Sequence, residues 1–470
     1  MKLLSRKNPL FLKLNFFIFL RIWPYIRIKR KKQIYFLLFS MSLGALFEIL
    51  ALGSIVPFLE VLKNPNNIYD FKYINFLIIN IENLNSEQIV IFTTLFFSLA
   101  IIAASSIRLF NFWANGRISA AIGTELSSEC YQKTLSQPYS VHLNKNSSEV
   151  INNIYSGIDS TIKALNSLLN LFLAITIALS IAISLVVMNW VIAIILFFIF
   201  GFSYLIIGNL NKIEIYRNGK EITYANKQFL KALQEGLGAI KDILIENSQS
   251  VYVSSFRNAD MSLRRLTART GFINIFPRYF LEALGIITIG IIGAILSINN
   301  DAVTDSITIL GFIAIAAQRL LPSLQQMYFC WATLEASSVY LNNVQQMLEI
   351  TSILEFKNIK PLFLKKDLIL KDISFRYSAN QDFVLNNSNT IIKKGEKIGI
   401  IGKTGSGKST ITDILMSLLI PSSGKFLVDK VNINDPKNFK TACAWRKNIA
   451  HVPQAIYLAD CTIAENIAFG

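Results

Sequence analysis

Residues 402–410 read Gly402-Lys403-Thr404-Gly405-Ser406-Gly407-Lys408-Ser409-Thr410. This is the pattern G-x-x-x-x-G-K-[ST], a glycine-rich loop opening into a helix. The residue types point to phosphate. Glycines let the backbone turn its N–H groups inward at angles other residues avoid. The first turn of a helix adds a favourable dipole for an anion. Lys408 brings a charge to the β- and γ-phosphates, and Ser409 offers a hydroxyl to Mg2+. The flanks supply the expected context. The apolar run 397–401 predicts a strand before the loop, and 409–419 predicts a helix after it. The stretch Gly402 through Thr410 is therefore the expected nucleotide-binding site, the plainer alternative being a glycine-rich turn.

Around this loop, from about residue 360, Lys and Asp become frequent. Short β-rich runs appear at 368–377, 425–428 and 448–453, punctuated by turn residues. That pattern predicts a soluble α/β domain. Upstream the chain is different. The whole sequence has 470 residues and is 52% hydrophobic but only 16% charged, where soluble domains carry about 25% charge. An ordinary soluble enzyme and a disordered chain are both excluded. Six stretches approach the roughly 20 apolar residues that a bilayer span requires, at 34–62, 89–113, 164–188, 190–208, 271–298 and 306–331. The third and fourth meet at Asn189, which predicts a tight hairpin.

Charge orients the spans, because loops rich in Lys and Arg stay cytoplasmic. Residues 1–33 hold ten basic residues and 209–270 hold ten more, whereas 63–88 hold two, Lys63 and Lys72. The N terminus is thus expected inside. The long gaps 114–163 and 209–270 are expected as cytoplasmic continuations of the helices. Phe16, Phe17, Phe19, Ile22 and Trp23 predict an amphipathic helix on the inner surface rather than a cleaved leader.

Polar groups inside the spans mark costly positions. Glu48 lies about 14 residues into the first span, roughly 20 Å deep. Arg319 is similarly deep in the sixth, beside Gln318 and followed by Gln325 and Gln326. Such charges should face a polar cavity or each other. They line a translocation path or form a structural pair between helices. Arg108, near the inner end of span two, is expected to snorkel, and Arg278 and Glu282, four apart, to pair along one face.

The net charge of +16 lies beside apolar spans, so no nucleic-acid partner is expected. Cys130, Cys330, Cys443 and Cys461, with His142 and His451, show no metal-ligand spacing.

With the loop and the spans in hand, the chain resembles an ABC exporter half-transporter: a six-span α-helical membrane domain followed by an α/β P-loop ATP-binding cassette. Asp372-Ile373-Ser374-Phe375-Arg376-Tyr377 is similar to the strand before the adenine, which implies that Tyr377 stacks on the base. His451-Val452-Pro453-Gln454 resembles the Q-loop, which implies that Gln454 reaches Mg2+ and the attacking water. Thr462-Ile463-Ala464-Glu465-Asn466-Ile467-Ala468-Phe469-Gly470 resembles the segment that follows in exporters. The implied domains are 1–33 (surface helix), 34–350 (transmembrane domain) and 360–470 (first part of the nucleotide-binding domain). The implied cofactors are ATP and Mg2+.

The resemblance implies more. The signature motif, the Walker B acids and the switch histidine follow the Q-loop in this family. The sequence as given is therefore expected to be a fragment that holds ATP weakly without hydrolysing it. Two cassettes close around two ATP molecules, so a second half-transporter subunit is expected, identical or related. Coupling elements are expected near 137–143 and 238–246. Pro277-Arg278-Tyr279-Phe280-Leu281-Glu282, Gln318-Arg319-Leu320-Leu321-Pro322-Ser323 and Gly236-Leu237-Gly238-Ala239-Ile240-Lys241-Asp242 resemble exporters that flip lipid-linked oligosaccharides. The expected substrate is thus lipid-linked and amphipathic, with Arg319 meeting its anionic head. Alternatives are an exporter of lipids, drugs or peptides, and a non-transporting nucleotide-binding membrane protein. The expected location is the inner (plasma) membrane, multi-pass, with the cassette cytoplasmic.

Overall fold

A hydrocarbon interior offers the backbone no partner, so a long apolar stretch satisfies itself only as a helix. The computed structural model describes residues 22–63, 85–144, 146–299, 303–350, 359–435, 439–454, 456 and 458–468. The chain divides into two compact units. One comprises Met1–Lys133 and Ser147–Thr351, the other Thr134–Asn146 and Ser352–Gly470.

The first unit is helical. Helix α1 (Ile28–Gly53) breaks at Ser54 and resumes as α2 (Ile55–Lys63). Helix α3 (Ser86–Leu135) is 50 residues long, about 75 Å at 1.5 Å per residue and more than twice the ~30 Å hydrocarbon core. The predicted continuation of the spans beyond the apolar window is therefore real. After α4 (Tyr139–Asn144), which belongs to the other unit, α5 (Ser147–Asn152) runs through a π turn into α6 (Ile158–Met188). Asn189 then adopts an extended conformation, and its side chain accepts the Ile192 amide at 3.1 Å. This N-cap starts α7 (Trp190–Gly238) and makes the predicted hairpin. Next come α8 (Ile240–Glu246), α9 (Gln249–Asn299) and α10 (Val303–Glu349).

Among the described residues, five helical stretches are long and apolar enough to cross a membrane: Ile28–Leu62, Ser86–Leu135, Ser147–Val187, Trp190–Gly238 and Gln249–Ala294. The sixth predicted span falls within α10. Of the predicted surface helix, Phe16, Phe17 and Phe19 lie outside the described residues, as do 64–84 between spans one and two. Ile22 is buried and Trp23 opens a short 3-10 turn.

Two apolar clusters hold this unit. One joins Leu52, Ile181, Phe200, Leu281 and Phe312; the other joins Leu37, Met41, Ile122, Leu165 and Val344. Within apolar helices, polar side chains must find each other. Asn115 Nδ2 donates to Asn166 Oδ1 and Asn170 Oδ1, both at 2.7 Å, tying α3 to α6. Helices α7 and α10 approach so closely that a Cβ on Gly219 would sit 2.5 Å from the Ala336 carbonyl oxygen.

The second unit contains a four-stranded antiparallel sheet. Its strands are β1 (Asp367–Phe375), β2 (Leu385–Lys393), β3 (Ser423–Val428) and β4 (Val431–Asn432), in the order β2-β1-β3-β4. Helix α11 (Lys408–Leu415) and helix α12 (Phe439–Arg446) pack on it, with Leu370, Ile373, Ile414, Phe426 and Trp445 in the core. The Trp445 indole donates to the Leu415 carbonyl at 2.7 Å. A short α13 (Ile463–Ala468) follows. Its start is a capping box: Glu465 accepts the Thr462 amide at 2.9 Å, while Thr462 Oγ1 accepts the Glu465 amide at 3.3 Å. The Thr462 amide and hydroxyl bonds hold the Glu465 carboxyl below its usual range.

Three sequence expectations are corrected here. Residues 397–401 are not a strand, because among the described residues none pairs with them to take their backbone groups. Ile401 is 98% exposed as a result. Residues 448–453 are not a strand either, since the Asn448 and Ile449 amides close turns onto Trp445 and Arg446 carbonyls. The helix expected over 409–419 ends at Leu415, where Ser417 takes a left-handed conformation and its amide returns to the Ile414 carbonyl. Strand β2 was not expected from its polar residues. Cross-strand pairing creates it: Asn389 Oδ1 accepts the Asp372 amide at 2.8 Å and its Nδ2 donates to Asp372 Oδ1 at 3.0 Å.

The Gly219 contact is testable. Gly219→Ala should destabilise the helical unit by about 1–3 kcal/mol through overpacking, read as a lower thermal midpoint in detergent. Gly201→Ala, with nothing within 4 Å of the added carbon, should leave the midpoint nearly unchanged.

Candidate nucleotide site and buried charge cluster

The loop 402–410 leaves the open segment 397–401 and ends in α11. Two of its glycines sit where a side chain is strained: Gly405 has φ +83° and Gly407 φ +87°. Gly407 is also the N-cap of α11 and lies against Val384 and Leu385. The Ser406 amide closes a turn on the Lys403 carbonyl at 3.1 Å. Lys408 Nζ donates to the carbonyls of Gly402 and Lys403, each at 2.7 Å. The ammonium is thus held at the mouth of the loop, beside first-turn amides that have no intrahelical acceptor. Gly402, Lys403, Thr404, Gly405, Ser406 and Ser409 are exposed, whereas Gly407 and Thr410 are buried. A cradle of exposed backbone, a helix start and one cation fits a triphosphate.

Tyr377 lies beside this loop. Its hydroxyl is 2.9 Å from Thr410 Oγ1, and its ring meets Phe375 edge-on with centroids 5.0 Å apart. The sequence singled out both Tyr377 and Thr410 but not the bond between them. Gln454 is exposed, and among the described residues no hydrogen bond joins it to the loop. Its neighbourhood is still close to α11. Burial raises the Asp413 carboxyl above the usual carboxylate range, against the opposing pull of the His451 charge.

The segment 134–146 belongs to this unit, although it lies in the chain between two apolar helices. Pro138 and Ser140 help line a cavity of about 340 Å3 with Phe375, Leu419, Phe439 and Arg446. The coupling element expected at 137–143 therefore coincides with α4. The other candidate coincides with α8, which exposes Ile240, Leu244 and Ile245.

The helical unit holds the second cluster. The Glu48 side chain is 2% exposed and uses both oxygens. Oε1 accepts from Arg319 at 2.6 Å and Oε2 from Arg108 at 2.8 Å. Glu48 and Arg319 thus meet each other, across α1 and α10. The snorkelling expected of Arg108 is corrected: the buried carboxylate offers it more than the bilayer surface does. Arg278 is corrected as well. Its guanidinium lies 6.0 Å from the Tyr279 ring centroid, and among the described residues it forms no ion pair with Glu282.

The comparisons with known proteins agree with both units. Residues 385–468 match the family model described as ABC transporter. The chain is 24% identical over 449 residues to the heterocyst differentiation ATP-binding protein HepA of Nostoc sp., covering 94% of this chain and 71% of that one. It is 30% identical over 257 residues to ABC transporter B family member 29, chloroplastic, of Arabidopsis thaliana, covering 52% and 38%. It is 39% identical over 114 residues to the alpha-hemolysin translocation ATP-binding protein HlyB of Escherichia coli O157:H7, covering 24% and 15%. The stretches matched in these last two span well under two thirds of those proteins. The fold is that of a bacterial Atm1-family ABC exporter with ATP bound: the TM-score is 0.69 at 16% identity, over 93% of this chain and 74% of that one. The chain thus has the fold of that structure, a unit of long apolar helices followed by a unit that matches the ABC transporter family model.

Removing the loop cation gives a direct check. Lys408→Ala should weaken binding of a fluorescent ATP analogue by tenfold or more, at about 1.5–3 kcal/mol for a charge-assisted contact. The far-ultraviolet circular dichroism should stay unchanged, because Lys408 Nζ bonds only loop carbonyls.

Proposed function

We propose that this chain is a subunit of an ATP-driven exporter that moves an amphipathic, lipid-linked anionic substrate across the inner membrane by alternating access. The observation that carries the reading is the make-up of the cassette unit. A phosphate-binding loop and a segment lying between two apolar helices of the chain belong to one compact body. A change at the loop would reach the spans along that segment. In this reading the cassette faces the cytoplasm, and a second half-transporter subunit, identical or related, completes the machine.

The residue roles follow from chemistry. The loop amides and Lys408 hold the β- and γ-phosphates. Ser409 supplies a hydroxyl to Mg2+, and Tyr377 stacks on adenine, oriented through Thr410. Gln454 would be the residue that reaches Mg2+ and the attacking water. Phosphoryl transfer of this kind works by positioning and charge neutralisation. In the helical unit, two guanidiniums against one carboxylate leave a positive surplus within an apolar bundle. That surplus supports an anionic substrate head, which Arg319 would meet. The resemblance of 277–282, 318–323 and 236–242 to flippases of lipid-linked oligosaccharides supports the same class.

The test is transport by the protein in proteoliposomes. ATP should drive loss of a fluorescent lipid-linked pyrophosphate oligosaccharide from the outer-facing pool, and Lys408→Ala should abolish it. Transport of an uncharged lipid at the same rate would overturn the assigned substrate class. No ATP-dependent movement of any lipid, drug or peptide would overturn the exporter reading.

The charge cluster yields a double-mutant cycle. Glu48→Gln should destabilise the protein by about 1–3 kcal/mol, because it removes the buried counter-charge that both guanidiniums share. Adding Arg319→Gln should recover much of that loss while transport stays impaired. Thermal unfolding and flipping, measured on the same preparations, separate the two effects.

A further inference from the structure

A separate feature of the helical unit is a groove between α1 and α3 with a volume of about 730 Å3. The two helices run antiparallel. Arg30, Ser40 and Glu48 on α1 meet Glu125, Asn111 and Arg108 on α3 in reverse order. Lys32 and Phe36 line the groove from α1, and Trp113 and Arg117 line it from α3. On each helix the cation and the aromatic ring are four residues apart, so they share a face. The antiparallel sense puts both rings about 6 Å farther from the N-terminal end of α1 than their cations, at 1.5 Å per residue. The groove thus has a basic mouth and an apolar floor that continues over Ala114 and Ile118.

The charges at the mouth are available. Arg30 is committed to Glu125 and Gln33, each at 2.9 Å. Lys32 and Arg117 have no carboxylate partner among the described residues, and no acidic residue lines the groove. The Arg117 guanidinium lies 5.5 Å from the Trp113 ring centroid. A guanidinium stacked by its face keeps its N–H edge free for a phosphate. Phe36 and Trp113 are 63% and 59% exposed. A free inorganic anion would satisfy the cations and leave those rings bare.

We propose that this groove binds an anionic phospholipid of the cytoplasmic leaflet. Lys32 and Arg117 hold its phosphate, and an acyl chain lies along Phe36 and Trp113. The level of the groove fits this occupant. It sits where the apolar windows of α1 and α3 give way to basic residues, and basic pockets between helices at that depth suit acidic head groups. The site is distinct from the Glu48 cluster and does not depend on the transport reading.

The experiment is native mass spectrometry of the detergent-solubilised protein titrated with phosphatidylglycerol or phosphatidylcholine of matched chains, without nucleotide. The wild type should retain phosphatidylglycerol preferentially. Lys32→Gln with Arg117→Gln should cut that retention on the order of tenfold to thirtyfold, from about fivefold per basic residue, and leave phosphatidylcholine unchanged. The charge-keeping pair Lys32→Arg with Arg117→Lys should restore it, which separates lost charge from lost fold. Trp113→Ala should weaken both lipids. Equal retention of the two lipids, or full retention by the double Gln variant, would overturn the proposal. So would displacement of the lipid by inorganic phosphate, or its loss whenever subunits associate, which would assign the groove to a free anion or to a second copy.

Discussion

A hydrocarbon slab supplies no hydrogen bonds, and the helical unit follows from that constraint. Every backbone group must be satisfied within its own segment, so the apolar stretches are helices without exception among the described residues. The same rule explains why these helices do not stop at the end of the apolar window. A helix already nucleated extends cheaply, one bond per residue. Residues 114–135 and 209–238 therefore continue α3 and α7 well past the span. In the chain, α4 and α8 follow these extensions, beyond the apolar windows.

The constraint also governs the polar side chains. Each must find a partner in the bundle or reach its edge. Glu48 finds two, and Asn115 finds Asn166 and Asn170. Three helices are pinned at one point by a single carboxylate. Close approach does the rest. Gly219 lets α7 and α10 touch backbone to backbone, and Gly123 leaves room for Ile162.

In the cassette the governing constraint is different. Water is present, so structure depends on pairing between strands. The antiparallel sheet is complete across β2-β1-β3-β4, and its neighbours bury Phe426 and Ile373 fully. The phosphate loop lies outside that sheet. Its shape comes from Gly405 and Gly407 in left-handed conformations and from the Lys408 bonds to two carbonyls. The loop can thus keep its form although the preceding segment has no sheet partner among the described residues. The hydrogen bond between the Tyr377 and Thr410 hydroxyls then ties the chain just past β1 to the first turn of the helix.

Much of this was legible in the residues themselves, for local reasons. Apolar length, glycine spacing and the Asn189 break act within a few residues, so spans, loop and hairpin could be read directly. Glu48 and Arg319 announced themselves because a charge deep in an apolar run must be answered. What answered them was not legible. Arg108 is 60 residues from Glu48, and Arg319 is 271 residues away. Only folding brings them to one carboxylate. Strand β2 is the same case, since its polar residues become a strand only when β1 lies beside it. Segment 397–401 is the converse: a good strand sequence stays open where no neighbour takes its backbone. Sequence alone determined which segments must be helices and where a glycine-rich turn opens into one, because those depend on short-range sterics and solvation. Tertiary structure decided which charges meet, which strands exist and which loop joins the cassette, because each depends on a partner far away in the chain.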